Sequence, residues 1–143
     1  MRERDRLIVE ALYTSWEAGE LTSMLHHVAE DVGFAVHPWH RASFIGSGSG
    51  SKLLLSRLRR FLAVYEVVDY HAPPPVALEL GLLDCRISYQ YRHRRTGMTI
   101  DGNMRHVWRL SAGKIARLDI IHDAKRMGAF FELAEASQPF WRE

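Results

Sequence analysis

Residues 85–122 read CRISYQYRHRRTGMTIDGNMRHVWRLSAGKIARLDIIH. Three runs in this stretch, 85–92, 98–110 and 114–122, alternate apolar with polar residues or are dense in β-branched and aromatic ones, the composition that suits a pleated, half-buried strand. Arg95-Thr96-Gly97 and Ser111-Ala112-Gly113 separate them, and short glycine-bearing breaks of this kind turn one strand back on the last. Residues 65–70 and 76–83 have the same character, with Pro73-Pro74-Pro75 between them. The second half of the chain is therefore predicted to be mainly antiparallel sheet.

Upstream the period changes. Leu7, Ile8, Ala11, Leu12 and Trp16 fall on one stripe at a spacing near 3.6, predicting a helix over 4–18 that Gly19 stops. Leu21, Met24, Leu25 and Val28 repeat the pattern and predict a second helix ending near Glu30, so that the two make a helical hairpin. Residues 32–36 form a short apolar strand closed by Pro38. After Gly46-Ser47-Gly48-Ser49-Gly50, Ser51 is placed to cap a third helix through Leu54, Leu55, Leu58, Phe61 and Leu62. A last helix is expected over 124–134, with Met127, Phe130 and Phe131, before the tail Pro139-Phe140-Trp141. Helices followed by antiparallel strands define a single α+β domain over residues 1–143, its helices packed in a strongly bent sheet. The space between those layers is the natural ligand site.

Composition excludes several functions. Nineteen Lys+Arg against seventeen Asp+Glu leave a net charge of +2, too small a bias to predict nucleic-acid or membrane-surface binding. The one dense basic stretch, Tyr91-Arg92-His93-Arg94-Arg95, has no basic stripe to extend it and fits a solvated hairpin end. No apolar run approaches the roughly 18–20 residues of a membrane span, and the N-terminus carries charges of both signs without a signal core, so a cytoplasmic location is expected. Cys85, the single cysteine, cannot close an intrachain disulfide and sits in a strand without a base beside it, as a structural thiol does. The loop from Gly46 to Lys52 has neither the Gly-Lys-Ser/Thr of a phosphate loop nor a dinucleotide fingerprint, and is expected to be a flexible helix-capping loop. His26-His27, His37-Pro38-Trp39-His40 and His122-Asp123 lack the further ligands a metal shell needs, so no metal is expected.

Several strings resemble the SnoaL-like and ketosteroid-isomerase branch of the nuclear transport factor 2-like superfamily. Tyr13-x-x-Trp16-Glu17-Ala18-Gly19-Glu20-Leu21 is similar to its first-helix ending, and Ala29-Glu30-Asp31-Val32-Gly33-Phe34 to its turn into the first strand. Ile87-Ser88-Tyr89-Gln90-Tyr91, Thr96-Gly97, His106-Val107-Trp108-Arg109-Leu110, Gly113-Lys114-Ile115 and Asp123 continue the likeness. The resemblance implies a cone-shaped α+β barrel, cystatin-like in outline. It also implies a homodimer through the sheet's outer face and a pocket for a small apolar molecule, without metal or organic cofactor. For that outer face the alternation suggests Val107, Arg109, Ile115 and Ile121.

Ketosteroid isomerases use a Tyr donor, an Asp base and a protonated Asp donor. Carried onto this chain, the Tyr position falls on Leu12, beside Tyr13; the base falls on Val36, or on His37 if the proline is aligned; the second donor falls on Arg105 or His106. Neither carboxylate is present, so ketosteroid isomerisation itself is not expected. Imidazole can do other acid–base work, and His37 as base with His106 as donor, facing one cavity, form the predicted catalytic pair. Strand parity sends Met104, His106 and Trp108 to one face, and Leu118 with His122 to one face. Tyr13, Trp16, Phe34, Ile87 and Tyr89 are predicted to line the same cavity, with Trp39 and His40 at its mouth. The predicted function is isomerisation, cyclisation or dehydration of a small apolar polyketide-, terpenoid- or steroid-like molecule. The rival is a non-catalytic ligand-binding or dimerisation module, and convergence of polar groups on one point separates the two.

Overall fold

The computed structural model describes residues 2–37 and 45–122, together with Ala129, Glu132 and Leu133. Trp39, His40, Asp123, the tail and the rest of the expected last helix lie outside the described residues. Helix α1, Glu3–Ala18, buries Ile8, Val9, Leu12 and Tyr13 along its apolar stripe. Gly19 ends it at φ 73°, a left-handed conformation that glycine adopts at little cost, and the Glu20 N–H reaches back to the Ser15 carbonyl at 2.9 Å. The expected second helix is far shorter: α2 is one turn, Leu21–Met24, followed by a 3₁₀ turn at Leu25–His27. Strand β1, Val28–His37, claims the rest, because Val28 pairs with Ile115 and tertiary pairing overrides a helical period.

Strand β2, Gly48–Ser49, pairs with β1, so part of the glycine-rich segment is sheet. Helix α3, Ser51–Val64, is capped by Gly50 at φ 107° and not by the Ser51 hydroxyl. Strand β3, Tyr65–His71, follows it directly. The run expected over 76–83 is two strands, β4 (Val76–Glu79) and the start of β5 (Leu82–His93). Gly81, at φ 77°, turns the chain between them. Strands β6, Thr99–Ser111, and β7, Lys114–His122, complete the meander.

The strands lie in the order β2-β1-β7-β6-β5-β3, with β4 beside β3 on the same edge of β5. All neighbours are antiparallel except β1 and β7, which run parallel. The all-antiparallel expectation fails there for a topological reason: residues 38–113 intervene, a connection long enough for parallel pairing. The sheet is mixed, strongly curled and unclosed, giving a cone-shaped α+β fold. A register shift between Arg109 and Leu110 puts both Ile115 and Leu118 on the inner face. Ile115 is therefore buried in the core and does not belong to the outer face, where unbroken alternation places it.

Two clusters fill the cone. One gathers Val9, Leu12, Val32, Phe34, Leu83 and Ile87; the other gathers Phe61, Tyr65, Tyr89, Tyr91 and Ile100. Tyr70 and Met104 pack against both, marking where the two meet. Among the described residues no helix is long and apolar enough to cross a membrane.

Candidate functional site: a neutral hydrogen-bonding end in an apolar cavity

A cavity of about 120 Å³ opens where the clusters meet, between α1, α3 and the inner faces of β1, β6 and β7. Its volume is close to the ~150 Å³ that accommodates a benzene ring in a protein interior. Leu12, Val36, Leu58, Leu118 and Ile120 make much of its wall aliphatic, while Trp16, Phe61, Tyr70 and Tyr91 make one end aromatic. No Asp, Glu, Lys or Arg is among the described residues that line it.

Its polar end is built by α1 and β6. Alternation along β6 turns Met104, His106 and Trp108 inward, and α1 lays Tyr13 across the last two. The Tyr13 ring stacks on His106 (5.7 Å between centroids, 8° between planes) and meets Trp108 edge-on. The Trp108 indole Nε1–H donates to the Tyr13 hydroxyl at 2.9 Å, and that hydroxyl lies 2.7 Å from His106 Nδ1. An indole can only donate, so the phenol accepts from Trp108 and has one proton of its own to give. An imidazole nitrogen is a far better acceptor than the neighbouring Cys85 sulfur, so the proton goes to Nδ1 and the imidazole carries its hydrogen on Nε2.

Burial fixes the charge states. Desolvation pulls the His106 pKa down to about 3, so the ring is neutral at every physiological pH. The same effect raises Tyr13 well above its ordinary value and pushes the Cys85 thiol up to about 11, keeping both protonated. Among the described residues His106 Nε2 is buried and has no hydrogen-bond partner, and the same holds for Trp16 Nε1. Leaving a buried donor unpaired costs about 1–3 kcal/mol, so two on one cavity wall call for an explanation. His122, at the end of β7, is on the same wall. His106 faces Ile120 and Met104 faces His122 across the strands, so the two imidazoles stand on a diagonal, about 7–8 Å apart at the backbone.

Of the predicted lining residues, the structure brings Tyr13, Trp16, Met104, His106, Trp108, Leu118 and His122 together on the cavity. His37 is a correction. Val32, Phe34 and Val36 point inward, so alternation sends His37 to the opposite face, where its side chain is half exposed. There Nε2 lies 2.8 Å from Asp119, which Arg117 also grips with two bonds of 2.9 Å. Burial opposes the Asp119 charge, but the hydrogen bonds from Arg117 and His37 outweigh it and hold the carboxyl below its ordinary range. Phe34, Ile87 and Tyr89 are also corrections: each is buried in a core cluster and none forms cavity wall. Phe34 fills the space over Gly48, and Tyr89 lies over Gly102, where an added Cβ would sit 2.7 Å from its hydroxyl oxygen. Trp39 lies outside the described residues. Of the residues the three-residue register left between alternatives, the cavity takes both Leu12 and Tyr13, together with Val36 and His106, while Arg105 turns outward to Asp84 at 2.5 Å. Sequence reasoning missed Tyr70 and Tyr91; Tyr91 shares the face of Tyr89 two residues away, which was a readable signal.

These features define the class: the chain has the nuclear transport factor 2-like fold, the fold of the SnoaL-like proteins. It is similar to a candidate polyketide cyclase of Xanthomonas campestris, with 18% identity, a TM-score of 0.75, and 91% of this chain and 98% of that chain covered. An NTF2-like protein of unknown function from Burkholderia pseudomallei superposes with a TM-score of 0.76 at 14% identity, covering 88% and 95%. TerC, co-crystallised with polyporic acid, does so with a TM-score of 0.72 at 18% identity, covering 93% and 99%. No protein-family model matches the sequence, and no curated protein matches it significantly.

Proposed function

We propose that the protein is a cofactor-independent enzyme of the SnoaL-like isomerase and cyclase type, which activates a carbonyl of a small apolar molecule. The carrying observation is the buried His106 imidazole, whose Nδ1 lies 2.7 Å from the Tyr13 hydroxyl and whose Nε2 has no partner among the described residues, which fits a neutral ring with its hydrogen on Nε2. A fixed neutral donor in an apolar site is suited to a carbonyl oxygen that gains negative charge in the transition state, and removing such a donor typically costs ~10²–10³-fold in rate. His122 is the group on the same wall able to take a proton. In this reading it removes a proton from the carbon next to the carbonyl. The C–H pair becomes the enolate double bond, the oxygen charge rests on His106 Nε2–H, and the imidazolium returns the proton at another carbon. The names of structural neighbours, among them candidate polyketide cyclases and a candidate isomerase, support the type.

The wall's lack of any Asp, Glu, Lys or Arg among the described residues favours a second reading, a non-catalytic binder. Cyclohex-3-enone, a ring-sized β,γ-unsaturated ketone, separates the two. Conversion to the conjugated enone raises ultraviolet absorbance, and His106→Phe is expected to slow it at least ~10²-fold. Binding of the ketone without any conversion above the buffer rate would establish the binder.

A further inference from the structure

His106 Nε2 is one buried nitrogen on this wall without a partner among the described residues. Another, Trp16 Nε1, is on α1, three residues and about 4.5 Å of helix rise beyond the Tyr13 that holds His106. Its ring lies against Phe61 and Tyr70, at centroid distances of 6.1 and 6.4 Å, in the aromatic end of the cavity. Tyr70 also approaches Tyr13 at 6.2 Å, so one aromatic floor runs from one donor to the other. The described cavity wall thus includes one residue of the sheet and one of the helix whose ring nitrogen is buried without a partner among the described residues.

We propose that the ligand is an uncharged six-membered-ring molecule with two hydrogen-bond acceptors on opposite sides, of the cyclic dione or quinone class, with one oxygen on His106 Nε2–H and the other on Trp16 Nε1–H. The proposal rests on the reading of His106 as a carbonyl donor and adds the second contact. An uncharged ligand is favoured on physical grounds: the described wall holds no Asp, Glu, Lys or Arg, and an unpaired ion buried there would be strongly disfavoured. Stacking on Phe61, Tyr70 and Tyr91 suits a flat ring, and two acceptors satisfy both orphaned donors at once.

The test titrates the full chain with cyclohexane-1,4-dione, cyclohexanone, cyclohexane and cyclohexanecarboxylate, and follows the indole and imidazole N–H signals by ¹H–¹⁵N NMR. Trp16→Phe identifies the Trp16 signal. The dione is expected to bind about 3- to 10-fold tighter than the monoketone, the worth of one added neutral hydrogen bond. It should move both the Trp16 Nε1–H and the His106 Nε2–H signals downfield, while the carboxylate binds worst. Trp16→Phe should abolish the dione's advantage. An equal affinity for dione and monoketone, a dione advantage that survives Trp16→Phe, or tightest binding of the carboxylate would each overturn the proposal. If the monoketone still exceeds cyclohexane in a manner lost in His106→Phe, the carbonyl-donor reading stands without the second contact. If the dione binds as expected while the enone is not converted, the ligand class stands and the catalytic reading falls.

Discussion

His106 and His37 sit on strands of one sheet and face opposite ways, and the contrast between them explains most of what the site can do. His106 is enclosed by Tyr13 and Trp108, loses its solvation, and is neutral with a pKa near 3. His37 keeps half its side chain in water and leans on Asp119, which Arg117 already neutralises. Burial without a counter-ion makes an imidazole a permanent dipole. Exposure beside a carboxylate makes it one partner in a half-exposed surface hydrogen bond, worth little to the fold. The two predicted catalytic histidines therefore do not face one cavity: His106 is on its wall and His37 is on the opposite face of the sheet.

The largest expected effect tests the enclosure. Trp108 is 5% exposed, meets Tyr13 and His106 edge-on and donates to the Tyr13 hydroxyl, so Trp108→Ala should cost about 3–5 kcal/mol in urea unfolding. A loss under about 1 kcal/mol would mean that the polar end is not tightly packed. The next effect is in pH. The His106 pKa is depressed in the folded state, from 6.5 to about 3, so its contribution is intact above pH 6.5. Between those values the unfolded chain binds a proton that the folded one refuses, and stability is lost as pH falls, at up to about 1.4 kcal/mol per pH unit. Wild type should therefore lose stability more steeply than His106→Phe over this window, other acids being common to both. Parallel curves would show that His106 is not desolvated. Tyr13→Phe comes third. It removes the acceptor of Trp108 Nε1–H and the donor to His106 Nδ1, for about 1–3 kcal/mol, and should let the Nδ1–H tautomer appear in ¹⁵N NMR.

How much of this was legible depends on how local each cue is. The inward face of β6 was readable, because Met104, His106 and Trp108 alternate without interruption and every second residue must share a face. The same rule, applied to Val32, Phe34 and Val36, turns His37 outward; aligning it through its proline overrode a signal that was in the strand itself. The bulge that brings Ile115 inside left no mark, since it arises from pairing between Arg109 and Leu110 and their partners. The parallel contact of β1 with β7 was equally hidden, because it joins segments far apart in the chain. The donor on Trp16 was visible only as an aromatic at helical spacing; that its N–H is buried and unpaired is a property of packing.

The smallest expected effect sharpens the contrast most. His37→Ala deletes one hydrogen bond to Asp119 and leaves both bonds from Arg117 in place, so it should cost less than about 1 kcal/mol. That loss should shrink further in high salt, where exposed charges are screened. Because the Asp119 carboxyl is held below its ordinary pKa, its contribution is present above the unfolded value of 3.8 and is lost as pH falls through the folded one. The His37→Ala difference should therefore fade below about pH 4 as the carboxylate is protonated. Dione affinity, enone conversion and the His106 N–H signal should all match wild type, since no atom of His37 is on the cavity wall. Loss of ligand binding or of turnover in His37→Ala, with the urea midpoint unmoved, would mean that the outer face reaches the site and that the division between the two histidines is wrong.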